Sequence, residues 1–333
     1  MKIAIVTDAW SPQTNGVVTT LGRTAGCLES FGHDVRVLGP DSFRSVPCPT
    51  YPEIRLSLRP GRGLGCFLDE FEPDTVHVAT EGPLGLAARR QLRRRRWRFT
   101  TSYHTQFPQY LRARAPLPVG WTYAALRWFH SAAARVMVNT PHVRDELAAQ
   151  GFINLVHWTR GVDTTLFRPR DKGFLDLPRP IFVCAGRVAV EKNIEAFLSL
   201  DLPGSKLVVG GGPALGPMRR RYPAAHFTGY RYGEELAATI AAADVFVFPS
   251  LTDTFGLVML EAMACGLPVA AFPVTGPLDV VEPGVTGVLD ADLRKAALAA
   301  LELDPQACVA HARHFTWEAA TRQFEGHLVP ARG

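Results

Sequence analysis

The sequence predicts an α/β protein with two successive halves, each a parallel sheet covered by helices on both faces. Short apolar runs typical of buried strands alternate with longer segments of helical periodicity, and this alternation restarts near residue 180. The chain of 333 residues is also longer than one hydrophobic core usually supports. These observations together favour two domains of similar size.

Five strand-like runs mark the first half: residues 3–6, 35–38, 75–78, 99–103 and 136–138. Helical patterns cover residues 17–31 and 122–134, and Gly32 comes after the first of them as a helix-ending glycine. Pro141 suits the first turn of a further helix that ends near Gln150. We therefore expect strand and helix to alternate through the first half.

The second half repeats the pattern, with strands expected at residues 181–185, 206–209, 245–248 and 269–272. Residues 160–180 are rich in proline, glycine and charge, which predicts a linker, and we place the domain boundary near residue 165. The last helical stretch, residues 316–328, carries Trp317, Phe324 and Leu328 at helical spacing. It is therefore expected to pack against another part of the protein.

The composition is that of an ordinary soluble protein, with 47% hydrophobic residues and a mean hydropathy of +0.03. No run approaches the roughly 20 apolar residues of a spanning helix, and the first residues enter a strand without a signal-peptide pattern, so a cytoplasmic protein is expected. Six cysteines lie scattered without a C-x-x-C pair, which argues against a zinc site or a disulfide framework. The charge of +5 is compatible with nucleic acid, an anionic membrane or an anionic substrate.

The segment 250–266 is the most informative stretch for function. It comes directly after the buried run 245–248 and reads as a loop with Asp253, then a helix from near Gly256 to Gly266. A helix N-terminus after a parallel strand offers amide donors and partial positive charge to a phosphate. Asp253 and Glu261 would then accept hydrogen bonds from sugar and ribose hydroxyls. Spacing alone equally allows Asp253 to cap the helix and Glu261 to face solvent.

Two cations lie at the end of the first strand of the second half. Arg187 comes just after the run 181–185, and Lys192 opens the next helix, so both side chains can converge at that strand's carboxyl end. Fixed cations would stabilise the negative charge that a departing diphosphate gains. Without further information, an arginine and a lysine near a helix start are usually surface residues.

The segment 250–266 resembles the donor motif of family 4 retaining glycosyltransferases, in which seven residues separate two acids ahead of an Ala-Met-Ala-x-Gly turn. The resemblance implies that Asp253 contacts the transferred sugar, that Glu261 contacts the ribose, and that Arg187 and Lys192 bind the diphosphate. Asp253 stands where the family more often has glutamate, and the shorter side chain bears on sugar identity. The donor-binding residues predicted in this way are Gly186, Arg187, Lys192, Asp253, Thr254, Phe255, Gly256, Leu257 and Glu261.

Three further residues match the family's donor and acceptor positions. Gly16, in the loop before the first helix, resembles the glycine that faces the donor phosphates, and Tyr230 falls where the family holds the nucleobase. His104 ends the run 99–103 and is expected to position sugar or acceptor hydroxyls without acting as a general base. A lone histidine in such a place is otherwise most often structural. The predicted catalytic residues are His104, Arg187, Lys192 and Asp253.

The resemblance implies the GT-B fold, two Rossmann-like domains with parallel sheets facing across a cleft. Residues 1–165 would form the acceptor domain, residues 166–313 the nucleotide-sugar domain, and residues 314–333 a helix that returns to the first. The implied activity is retaining transfer of a hexose, with mannose from GDP-mannose favoured, to a lipid or glycan acceptor; a UDP-sugar-dependent glycolipid synthase is the alternative. We expect no cofactor and no metal, because Asp290-Ala291-Asp292 lies well past the donor motif in a polar stretch.

Seven arginines cluster between residues 89 and 98, with Leu92 and Trp97 among them: Arg89, Arg90, Arg93, Arg94, Arg95, Arg96 and Arg98. A solvated helix end is the simplest interpretation. Basic residues beside apolar ones also suit anionic lipid headgroups, and the same charge suits nucleic acid. Because the family that the chain resembles often glycosylates lipids, peripheral association with the inner face of the membrane is expected ahead of nucleic-acid binding. A non-catalytic basic binding protein on the same fold is the competing class of function.

Overall fold

A computed structural model describes residues 1–11, 13, 15–48, 51–104 and 118–332, without the side chains of residues 51–53. The chain divides into two compact units. The first comprises Met1–Arg160 together with Trp317–Gly333, and the second comprises Gly161–Thr316. Each unit is built on its own six-stranded sheet, which confirms the predicted α/β class.

The first unit contains a parallel sheet in the order β2-β1-β5-β6-β7-β8. Its strands are β1 (Lys2–Val6), β2 (Asp34–Leu38), β5 (Thr75–Val78), β6 (Thr100–Tyr103), β7 (Arg135–Val138) and β8 (Leu155–His157). The sequence predicts all of them except β8, whose three residues are too few to show a pattern. An antiparallel pair, β3 (Ser45–Cys48) and β4 (Tyr51–Ser57), lies outside this sheet.

The helices of the first unit that precede its last strand are α1 (Gly16–Ser30), α2 (Gly61–Phe71), α3 (Pro83–Arg95), α4 (Val119–His130) and α5 (Pro141–Ala149). Asn15 starts α1 by accepting hydrogen bonds from the amides of Val17 and Val18, both at 3.0 Å. The predicted helix 122–134 is wrong at both ends. Its last residues leave the helix because the amide of Ala134 donates to the carbonyl of Phe99 as the chain enters β7.

The second unit contains a parallel sheet in the order β11-β10-β9-β12-β13-β14. Its strands are β9 (Ile181–Ala185), β10 (Ser205–Val209), β11 (His226–Gly229), β12 (Val245–Phe248), β13 (Val269–Ala271) and β14 (Gly287–Leu289). The direction of the strand order reverses between β9 and β12, which are hydrogen-bonded neighbours. In parallel α/β sheets ligands bind outside the carboxyl ends of the strands at such a reversal.

Helices of the second unit cover this sheet: α6 (Ile194–Leu198), α7 (Leu215–Arg221), α8 (Gly233–Ala241), α9 (Leu257–Ala264), α10 (Pro277–Val280), α11 (Leu293–Ala300) and α12 (Pro305–Ala312). The stretch predicted as a linker is instead packed from residue 161 onward. Val162 and Phe167 are buried in the core of this unit, and Leu175 and Leu177 pack against it. Their irregular spacing hides this burial from a search for periodicity.

The C-terminal helix α13 (Trp317–His327) belongs to the first unit and packs against α1. Phe324 is fully buried and Trp317 nearly so, which confirms that this helix has a packing face. The Glu325 carboxylate lies 2.8 Å from His33 Nε2, which ties the helix to the start of β2. Among the helices of the described ranges, none is long and apolar enough to cross a membrane.

Candidate active site

The loop after β9 lies very close to the end of β10. The amide of Gly186 donates to Val209 O at 2.9 Å, and Gly210 has a φ of +136°. A Cβ atom on Gly210 would lie 1.9 Å from Gly186 O, and one on Gly212 would lie 2.5 Å from Val188 O. Glycine is therefore required at residue 210 for the loop that carries Arg187 to reach its place.

Lys192 is held beside the end of β12 by its neighbour. Asn193 adopts a left-handed conformation, with φ +50°, and its side-chain amide donates to Pro249 O at 3.1 Å. As a result, Lys192 Nζ lies 2.6 and 2.8 Å from the two carboxylate oxygens of Asp253. The two side chains are only 27% and 15% exposed, so this ion pair is partly shielded from water. The structure thus brings together a predicted phosphate ligand and a predicted sugar ligand.

Asp253 is separate from the start of α9. The helix begins at Leu257, with Gly256 as its N-cap at φ +82° and without any capping side chain. This overturns the alternative in which Asp253 caps the helix. Because the amides of Leu257 and Val258 precede the first intrahelical hydrogen bond, they are donors that a ligand can use. Of the residues between Asp253 and the cap, Thr254 and Phe255 are buried, and Phe255 packs edge-to-face on Phe315, with ring centroids 6.5 Å apart.

Glu261 lies in the second turn of α9 and is partly buried. The loop after β13 lies close to the backbone of Asp253, since a Cβ on Gly276 would lie 2.9 Å from Asp253 O. The loop after β13 thereby helps to fix the backbone that carries Asp253.

Ser250 and Thr252, two site residues that sequence reasoning missed, stand just before Asp253. Each has a buried hydroxyl oxygen with no hydrogen-bond partner among the described residues. A buried hydroxyl without a partner costs about 1–3 kcal/mol. Nothing in the sequence distinguishes these two from other serines and threonines at the ends of strands. Because they precede Asp253 in the same loop, they are candidate ligand contacts.

Tyr230 comes directly after β11 at the same edge of the sheet. Its ring is 51% exposed and lies nearly parallel to that of Tyr232, with centroids 6.0 Å apart and an interplanar angle of 13°. A Cβ on Gly211 would lie 2.5 Å from the Tyr230 ring, so glycine allows the ring to lie against the β10 loop. An exposed aromatic ring in this position is a suitable surface for a planar base.

The two predicted residues of the first unit stand in different surroundings. Gly16 is the first residue of α1 and is exposed. His104 comes directly after β6, and both of its ring nitrogens have partners: Arg160 donates to Nδ1 at 3.1 Å, and Ser102 Oγ lies 2.7 Å from Nε2. Burial, then the charge on Arg160, lowers the pKa of His104 well below its ordinary value. The ring is therefore neutral.

The arginine cluster is divided by the fold. Arg95 contacts both carboxylate oxygens of Asp69 at 2.8 Å. Arg89 donates to the carbonyls of Trp128 and Phe129 and stacks on the Trp128 ring at 3.9 Å. The expectation of one basic surface that includes these two arginines is therefore wrong. The members that remain exposed are Arg90, Arg93, Arg94, Arg96 and Arg98.

The Asp290–Asp292 pair has structural partners. Asp290 contacts Lys295 at 2.7 Å, and Asp292 caps α11 through the amides of Arg294 and Lys295. Within the described residues, no group of three or more histidine, cysteine or acidic side chains is placed to hold a metal ion.

The fold and this set of residues define a glycosyltransferase of the GT-B class. Residues 14–166 match the model described as Glycosyltransferase Family 4, and residues 179–303 match the one described as Glycosyl transferases group 1. The chain belongs to the family 4 glycosyltransferases.

The similarity extends over nearly the whole chain. A GDP-mannose-dependent alpha-mannosyltransferase of Corynebacterium glutamicum is 30% identical over 99% of this chain and 89% of its own. One of Mycobacterium tuberculosis is 31% identical over 87% of this chain and 83% of its own. Sucrose-phosphate synthase from Thermosynechococcus elongatus has the same fold, with a TM-score of 0.81 and 21% identity over 98% of this chain and 97% of that one.

Proposed function

We propose that the protein transfers mannose, with retention of configuration, from GDP-mannose to a lipid or glycan acceptor. The observation that carries this proposal is the cluster at the reversal of the second sheet. There Lys192 contacts Asp253, and Arg187 and the amides at the start of α9 lie after the neighbouring strands β9 and β12. The names of the two mannosyltransferase relatives support the choice of donor.

Each residue has a chemical task in this scheme. Arg187 and Lys192 hold the diphosphate and offset the charge it gains as the glycosidic bond breaks. Asp253 accepts hydrogen bonds from hydroxyls of the sugar, Glu261 from those of the ribose, and Tyr230 offers a flat surface to the base. Because side-chain cations neutralise the leaving group, we expect transfer to persist in EDTA.

Calorimetric titration with a panel of GDP- and UDP-sugars tests the donor without knowledge of the acceptor. The proposal expects GDP-mannose and GDP to bind and Arg187→Ala to weaken both. Preference for a UDP-sugar would favour the alternative glycolipid synthase. Absence of binding by any nucleotide sugar, with Arg187→Ala unchanged, would instead support a non-catalytic binding protein. The anomeric configuration of the product, read by NMR, tests retention.

A lipid acceptor is supported by exposed residues on two helices of the first unit, namely Arg90, Arg93 and Arg94 on α3 and Trp121 and Trp128 on α4. Trp121 and Trp128 are 75% and 55% exposed and lie two helical turns apart, hence on one face. The stacking of Arg89 on Trp128 joins the two helices. Exposed tryptophan beside arginine suits the interface of an anionic membrane.

Vesicle sedimentation tests the role of these residues. The full chain is expected to bind vesicles of anionic phospholipid more strongly than neutral ones, and replacement of Arg90, Arg93 and Arg94 by glutamine should abolish the difference. The matched control replaces three arginines at the end of α7 in the other unit, Arg219, Arg220 and Arg221, and should retain binding. Equal binding to both vesicle types would exclude the membrane role.

A further inference from the structure

A chain of buried polar side chains runs through the first unit beneath His104. Ser102 Oγ lies 2.7 Å from His104 Nε2 and 3.0 Å from His77 Nε2, and Thr100 Oγ1 lies 2.9 Å from His77 Nδ1. His77, Thr100 and Ser102 have no exposed surface. Each of these three groups can act either as donor or as acceptor, so the chain has no direction of its own.

Arg160 fixes the proton position at the His104 end of this chain. A guanidinium only donates, so His104 Nδ1, 3.1 Å away, must accept. The proton of the neutral imidazole is then on Nε2, and it points to Ser102 Oγ. The serine hydroxyl accepts this proton and keeps its own to donate, either to His77 Nε2 at 3.0 Å or to Ala79 O at 3.4 Å.

The setting of Arg160 is unusual for a cation. The residue is 3% exposed, and among the described residues no carboxylate contacts it. Its guanidinium donates to the carbonyls of Trp158 and Thr159 and stacks on the Trp158 ring at 4.3 Å. Burial lowers its pKa to about 9, which leaves it charged at neutral pH. An uncompensated buried cation is costly, so its retention requires a reason beyond packing.

We propose that Arg160 is a positioning residue that locks His104 into one neutral tautomer, with the proton on Nε2, through its hydrogen bond to Nδ1. The ring of His104 is held edge-on to Trp158, with centroids 5.7 Å apart, so its orientation is fixed as well. The inference rests on the proposed function together with the expectation that His104 positions hydroxyls of the sugar or acceptor. There a protonated ring would add a positive charge near the developing oxocarbenium ion, and the lock prevents this.

Among the described residues, the charged and titratable groups that act on His104 from neighbouring elements include Arg160, His77 on β5 and His130 on α4. His130 is itself paired with Glu81 at 3.1 Å. Arg160 donates directly to a ring nitrogen of His104, whereas His77 reaches the ring only through Ser102. Loss of Arg160 therefore frees Nδ1 to take up a proton and removes a neighbouring positive charge, and both changes favour the charged ring.

Long-range ¹H–¹⁵N correlation spectra of the full chain test the lock directly, with His104→Gln to assign the signal. The wild type is expected to show Nε2–H and a ring that stays neutral at neutral pH. In Arg160→Met the pKa of the ring should rise, because a neighbouring charge and a donor to Nδ1 are lost while burial remains, and kcat for transfer should fall toward acidic pH and recover as the pH is raised. Arg160→Lys should preserve the tautomer, because an ammonium still donates.

Arg135→Met provides the matched control, because Arg135 is an arginine of the same unit whose side chain donates to the carbonyl of Gly326 near the protein surface. A wild-type Nδ1–H tautomer would overturn the proposal before any substitution is made. So would an Arg160→Met spectrum identical to that of the wild type. If Arg160→Met changes the tautomer but leaves the pH profile of transfer unchanged, His104 does not take part in transfer. If the wild type turns over no nucleotide sugar, the proposed function itself is refuted.

Discussion

Replacement of Asp253 by asparagine separates the two tasks assigned to the ion pair at the second sheet. The substitution keeps the shape of the side chain and removes the charge that holds Lys192 at 2.6 and 2.8 Å. In the proposed site, Lys192 serves the diphosphate while Asp253 serves the sugar. We therefore expect Asp253→Asn to bind GDP more tightly and to transfer mannose more slowly.

The geometry sets the size of the effect. Two unit charges about 2.7 Å apart attract by roughly 6 kcal/mol at an effective dielectric constant of about 20. Desolvation of both groups and the ordering of the lysine offset most of this, which leaves a net coupling of about 1–2 kcal/mol. When Lys192 no longer pairs with residue 253, that free energy is available to its contact with the diphosphate, which corresponds to roughly a tenfold lower Kd for GDP. Loss of a charged acceptor for sugar hydroxyls should lower kcat by at least about tenfold.

Calorimetry with GDP and an initial-rate assay with GDP-mannose measure the two effects separately. Asp292→Asn is the matched control, because it removes the same charge from the same unit at the N-cap of α11, where asparagine also caps well. Lys192→Met should weaken GDP binding in either background. If Asp253→Asn binds GDP no better than the wild type, Lys192 is not the phosphate ligand that the pairing implies.

Three further predictions concern the buried groups around these sites. Ser250→Ala is expected to leave the free energy of unfolding unchanged or raised by up to about 1 kcal/mol, because it removes a hydroxyl without a partner among the described residues. Donor affinity should fall about tenfold. A large loss of stability in a urea titration would show that the hydroxyl has a structural partner. Gly210→Ala should lower the free energy of unfolding by more than about 3 kcal/mol, since its Cβ would lie 1.9 Å from Gly186 O. In the same urea titration, the control Gly22→Ala on α1 should be neutral or mildly stabilising, because its Cβ would meet nothing within 4 Å. Burial lowers the pKa of His77 from 6.5 to about 3, so between these two pH values the unfolded chain binds a proton that the folded chain does not. As the pH is lowered below 6.5, the free energy of unfolding should therefore fall by about 1.4 kcal/mol per pH unit for this residue. If His77→Asn shows the same dependence of unfolding free energy on pH as the wild type, this prediction is wrong.

The order of strands and helices can be predicted from the sequence because hydrophobic periodicity is local. The runs at residues 181–185 and 245–248 are apolar enough to be recognised as buried strands. The loops after parallel strands lie at a common edge of the sheet, so the sequence places Arg187, Lys192 and Asp253 along that edge, and the resemblance to the family's donor motif assigned them to one site. The motif with Asp253 and Glu261 then indicated the family.

Only the tertiary structure decides which of these residues meet. Lys192 and Asp253 are 61 residues apart, and their contact depends on β9 lying beside β12 and on Asn193 bonding to Pro249 O. Short strands such as β8 and β14 exist because a neighbouring strand pairs with them, which no local pattern records.

The arginine cluster shows that the partners of charged side chains also cannot be predicted from the sequence. Their spacing reveals a cluster, but the acid or carbonyl that each one meets comes from another element, as Asp69 does for Arg95 and the end of α4 does for Arg89. In the sequence, Arg160 is one more residue of a polar connecting stretch. Its burial against Trp158 and its hydrogen bond to His104 arise only when β6 and the segment after β8 are brought together. Residue types are therefore set by the sequence, whereas their electrostatic environment is set by contacts between distant parts of the chain.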